Sequence, residues 1–190
     1  MVRTARLFLT LTILTSFTWI SGCCPPEVTE GYIQFTGKTE GLPISFEYPA
    51  IYGNFGLEKL GTLEKLGLYD CHTARISISS DMNTANGGDY ENAHARLMHE
   101  LDIASNVPEF QLIKQSERAI AGISGEELIY SVNLESSVDI IPPIGKMTYR
   151  LVVADYKGRI YSISIFVDAD KYDDVKEGFE HLLATFKFQE

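Results

Sequence analysis

Residues 147–167 read MTYRLVVADYKGRIYSISIFV, and this stretch decides the fold. Met147, Tyr149, Leu151 and Val153 alternate with other residues at period two, the signature of a strand with one buried face. Asp155-Tyr-Lys-Gly158 interrupts the pattern as a turn. Tyr161, Ile163, Ile165 and Val167 then resume it. Two such runs around a short glycine-containing break predict a β-hairpin, with Gly158 supplying the left-handed residue. Hairpins join antiparallel strands, so the sheet is expected to be antiparallel.

C-terminal to the hairpin the period changes. Tyr172, Val175, Phe179, Leu182, Leu183 and Phe186 form one helical stripe. Asp170 is placed to cap this helix, and Asp173 and Asp174 fall in its first turn, where the helix dipole favours acids. Phe186-Lys-Phe188 predicts a short final strand. N-terminal to the hairpin, Leu42–Tyr48, Ala74–Ile78 and Leu128–Val132 alternate as strands. Between them Tyr90, Ala93, His94, Leu97, Met98, Leu101 and Ala104 predict a helix, preceded by the breaker Asn86-Gly87-Gly88 and capped by Asp89. Strands and helices in this order predict an α+β domain: an antiparallel sheet with helices packed on it.

The first thirty residues read differently. Arg3 and Arg6 precede an uncharged apolar run, Leu7–Ile20. Fourteen residues give roughly 21 Å of helix, short for a bilayer. The run ends in Ile20-Ser-Gly-Cys23, which resembles the lipobox of bacterial lipoproteins. That resemblance implies a cleaved signal over 1–22 and a lipid on Cys23. Residues 23–30, with Pro25 and Pro26, read as a tether, and 31–190 as one domain. Loss of Arg3 and Arg6 would take the formal charge from −10 to −12. Such acidity argues against nucleic acid and against docking onto anionic lipid. Cys24 and Cys71 could pair, or Cys71 could be a small buried hydrophobe.

Three stretches of the domain resemble the PsbP-like family, named for the extrinsic protein of the photosystem II oxygen-evolving complex. They are Phe46-Glu-Tyr48-Pro49, Ala121–Tyr130 with its glycine turn, and the closing run from Gly158 to Phe188. The resemblance spans about residues 31–188 and implies an α-β-α sandwich with a central antiparallel sheet. The family's tryptophan after Tyr-Pro is absent; Ile51 and Tyr52 stand nearby. No family ligand set is matched, so no metal or chloride role is carried over, and no cofactor is expected.

Patterns of chemistry are sparse. His94 and His99 are five apart and point about 140° away from each other on a helix. His94 is expected at the edge of the core and His99 in solvent. Cys71-His72 lacks nearby metal partners. The acids of Asp168–Asp174 lack the glycine and glutamate of a calcium loop, and helix capping explains them. Gly122-Ile-Ser124-Gly125 misses the hydrolase elbow by one residue.

Two loops are candidate contact surfaces. Tyr48–Phe55 is aromatic, and Tyr52 and Phe55 could either roof one sheet end or meet a partner. Val138–Ile144 is unusually apolar, and Ile140, Ile141 and Ile144 could pack on the sheet edge or bind another protein. The expectation is therefore a non-enzymatic, protein-binding lipoprotein on the extracytoplasmic side of a bacterial envelope membrane. An extracytoplasmic enzyme with an unrecognised site and a small-solute-binding lipoprotein are the alternatives.

Overall fold

The structure, a computed structural model, describes residues 31–37, 42–60, 63–69, 74–134 and 145–189; the side chains of residues 54–60 and 69 are outside that description. The element order is β1 (Tyr32–Thr36), β2 (Ile44–Pro49), β3 (Gly53–Leu60), β4 (Leu63–Tyr69), β5 (Ala74–Met82), α1 (Ala93–Ser105), β6 (Gln111–Glu117), β7 (Gly125–Leu134), β8 (Gly145–Tyr156), β9 (Arg159–Asp168), α2 (Tyr172–Thr185) and β10 (Lys187–Phe188). Seven strands form one antiparallel sheet in the order β3-β4-β5-β9-β8-β7-β6. A second sheet holds β1-β2-β10, also antiparallel. The fold is mixed α+β, as the alternation and helical stripes predict.

The deciding hairpin is β8–β9, with Tyr156 opposite Arg159 and only Lys157 and Gly158 between. Both are left-handed, at φ 50° and 74°. That is the two-residue turn whose twist matches the flanking strands. Gly158 takes the left-handed conformation at no steric cost; Lys157 takes it against its Cβ.

Side chains leave the large sheet on two sides, and each side has its own core. On one face Leu66, Leu68, Ile76, Ile78, Val152, Ala154, Ile163 and Ile165 meet β2 and the stripe Phe179, Leu182, Leu183 and Phe186. On the other, Leu128, Tyr130, Leu151, Val153 and Ile160 meet Ala93, Leu97 and Ala104 of α1. β8 contributes to both, which accounts for its unbroken run Leu151-Val-Val-Ala154. A strand wet on one face cannot keep such a run; a strand covered on both faces can.

Local details differ from expectation. α1 begins at Ala93, and its cap is Asn92, whose side-chain oxygen accepts from the Ala95 N–H at 2.9 Å. Asp89 is not the cap, because Tyr90 lies before the helix, bridged to Asn83. Asp170 does not cap α2; Ala169–Lys171 forms a single 3₁₀ turn leading into it. Asp173 and Asp174 do lie in the first turn of α2. Among the described residues no helix is long and apolar enough to cross a membrane.

Candidate functional site

The candidate contact residues separate. Cys23, Ile140, Ile141 and Ile144 lie outside the described residues, as does the side chain of Phe55 on β3. Cys24 and Cys71 lie outside them too. Tyr52 is not on the surface. Its backbone N–H closes a turn onto the Pro49 carbonyl at 3.0 Å, and the side chain enters the first core with 4 % exposed. The burial of so large a ring sets Tyr52 into the core of the fold. Its neighbour Ile51 points outward instead, at 50 % exposure.

A surface that periodicity did not single out lies on β6. Among the described residues this strand ends the large sheet, with β7 on one side of its backbone and no described strand on the other. Its pattern is exposed throughout except Ser116. A bulge between Leu112 and Lys114 leaves Leu112 and Ile113 both in solvent, Ile113 at 55 %. Met98 of α1 is also exposed, and Gln115 of β6 reaches its sulfur at 4.0 Å. The only signal in the sequence is the adjacent pair Leu112-Ile113, too short to carry a period.

Beside this edge is an open cleft of about 540 Å³ lined by Asn92, His94, Glu117, Ser124, Glu126 and Asp155 among others. His94 is exposed rather than set against the core, because α1 turns it toward β7. There its Nδ1 lies 2.9 and 3.0 Å from the two carboxylate oxygens of Glu126. Asp155 accepts the Ala93 N–H with both oxygens, at 3.1 and 3.0 Å, and so occupies the start of α1. His99 is exposed as expected and meets the ring of Tyr90. Among the described residues no hydrogen bond joins Ser124 to His94. Nor, among them, are three or more His, Cys, Asp or Glu side chains placed to hold a metal ion.

The other polar cluster lies under α2. Arg150 of β8 donates to Glu127 of β7 and, through Nη2 at 2.7 Å, to Glu180 of α2. Arg118 closes onto the second oxygen of Glu180, and Lys114 of β6 onto that of Glu127 at 2.5 Å. Burial alone would raise the Glu127 carboxyl. Hydrogen bonds from Lys114 and Arg150 outweigh it and hold the group below the ordinary carboxylate value. Glu180 follows the same logic, with burial opposed by Arg150 and Arg118. The Arg150 guanidinium also sits over the Phe179 ring at 5.0 Å. Every acid here is paired, so the cluster fastens β6, β7, β8 and α2 together and presents no free base.

No family model matches the chain, and no curated protein does. Solved structures match by shape. A cyanobacterial PsbP from Synechocystis is 15 % identical, covering 88 % of this chain and 98 % of its own, with a TM-score of 0.55. A mutant of the protein Mog1 is 10 % identical, covering 84 % and 96 %, at 0.53. A protein from Bacteroides thetaiotaomicron is 15 % identical, covering 83 % of this chain and 48 % of its own, at 0.51. At these identities the likeness reaches the arrangement of strands and helices, and that arrangement is the fold of PsbP.

Proposed function

We infer that this chain is a non-enzymatic, lipid-anchored module of the bacterial envelope, an α-β-α sandwich of the PsbP type that binds another protein. The observation that carries the binding reading is the β6 edge, where a backbone with no further strand among the described residues stands beside exposed Leu112, Ile113 and Met98. The occupant that suits it is an extended segment of a partner protein. Strand addition would satisfy the edge N–H and C=O groups, and the apolar side chains would supply selectivity. The Ile20–Cys23 register supports the anchor and the extracytoplasmic side.

Mild crosslinking of the anchored protein, followed by recovery of its partner, tests this. Ile113→Lys leaves the fold stability within about 0.5 kcal/mol, since the side chain is exposed. It removes an apolar contact worth roughly 1.5–3 kcal/mol, a loss of about tenfold or more in affinity. Equal recovery by the variant and the native chain would refute the β6 reading. Cys23→Ser should abolish incorporation of a fatty-acid analogue, and label that persists would refute the anchor.

The second reading is an enzyme, and the cleft holding His94 and Glu126 favours it over a solute carrier. A histidine oriented by a carboxylate in an open polar cleft is the place to seek such an activity.

A further inference from the structure

The N-terminal end of the described domain carries its own apolar patch, separate from β6. Gly31 is the residue at which the tether enters the fold. Its carbonyl accepts the Ala50 N–H at 3.0 Å, which ties the entry point to the turn bearing Ile51. Tyr32 follows directly and is exposed, although its ring stacks on His181 at 3.7 Å between centroids. Tyr32 and Ile51 line one open groove of about 500 Å³ together with Pro49, Val175 and Gly178. Ile33 is exposed too, but as the next residue of the same strand it leaves the opposite face of the small sheet and does not line the groove.

We propose that this patch of Tyr32 and Ile51 is the face with which the domain rests on the lipid bilayer. The proposal rests on the anchor at Cys23. From Cys23 to Gly31 is eight residue steps, at most roughly 26–29 Å when fully extended. A domain of about 160 residues has a radius of gyration of about 15 Å, so the leash is shorter than the domain is wide. Whatever surface surrounds Gly31 is therefore held against the membrane at high effective concentration, and a weak affinity suffices there. That surface carries an exposed tyrosine and an exposed isoleucine, apolar side chains that suit the headgroup–acyl boundary. The rim of the groove carries Lys171 against Asp174 and Glu177. It has no surplus of positive charge to seek anionic lipid, so the contact is apolar and suits zwitterionic headgroups. The arrangement also leaves the β6 edge, whose partner among the described strands is β7, turned to a protein partner.

The single tryptophan of the chain is Trp19, within the segment expected to be removed. The mature protein is then a blank for indole fluorescence, so Ile51→Trp and Ile113→Trp each place one reporter. The full-length lipidated proteins are reconstituted in phosphatidylcholine vesicles, with and without lipid brominated high on the acyl chain. Incorporation of a fatty-acid analogue and flotation with the vesicles are measured on the same samples. The expected result is quenching of the indole at position 51 by roughly twofold or more, with a blue-shifted emission, and little change at position 113. Labelled, floating protein with equal quenching at the two positions overturns the membrane face and leaves the anchor standing. Protein that takes no label and does not float overturns the anchor, and the membrane face with it.

Discussion

Arg150 reaches diagonally across the β7–β8 ladder to donate from both Nε, at 2.9 Å, and Nη2, at 2.6 Å, to one carboxylate oxygen of Glu127. Neither side chain meets solvent, at 3 % and 0 % exposure. Two opposite charges taken so far out of water are tolerated because each is neutralised and hydrogen-bonded. Removing the Glu127 carboxylate breaks two of the hydrogen bonds that hold the Arg150 guanidinium and leaves it with Glu180 alone.

Glu127→Gln should therefore cost about 3–5 kcal/mol, the range for breaking a buried pair from one side. Arg150 would keep Glu180, and Lys114 would lose its partner. A urea melt measures the loss. A change near the scale of an exposed substitution, about 0.5 kcal/mol, would contradict the burial described here.

The same carboxylates set a pH dependence. Glu127 and Glu180 are held below the ordinary value of 4.5 in the folded chain. Below about pH 4.5 the unfolded chain takes up protons first, so it is favoured by acid. The stability these groups contribute is fully present above that value and is lost as pH falls through their depressed folded values. Urea melts between about pH 6 and pH 3 should show this fall, and Glu127→Gln should flatten it.

Phe179→Ala should cost about 3–5 kcal/mol. The ring is fully buried, midway along α2, with Leu182 and Leu183 beside it and the Arg150 guanidinium over its face. A melt showing a loss below about 1 kcal/mol would make α2 peripheral to the core.

Gly158→Ala tests the hairpin. Its φ of +74° is open to glycine and strained for alanine, and an added Cβ would lie 2.9 Å from the flexible amide of Asn86. The expected cost is about 1–2 kcal/mol. For a domain of this size that lowers the melting temperature by several degrees, about 2–4 °C per kcal/mol, which calorimetry resolves.

What the chain alone determined is whatever is encoded over a few neighbouring residues. The β8–β9 hairpin was legible because turn chemistry at Lys157-Gly158 and period-two alternation are both local. The stripe of α2 was legible for the same reason: Val175, Phe179 and Leu182 meet on one face through helix geometry alone. The Ile20–Cys23 register is likewise a linear signal, and it remains the basis of the proposed anchor. Tertiary structure decided the rest. Which of Asp89 and Asn92 caps α1 depended on where Tyr90 is held. Whether Tyr52 faces in or out depended on a core assembled from strands far along the chain. His94 shares a helical stripe with Leu97, yet faces Glu126, 32 residues away. Arg150 stands alone among apolar residues when read in order and Glu127 follows Glu126, and only the register that sets Ile129 opposite Arg150 makes them partners. The β6 edge is an edge only because the sheet stops there. These features depend on contacts between distant segments, whose formation is governed by the whole balance of burial against chain entropy, and no short window of sequence contains that balance.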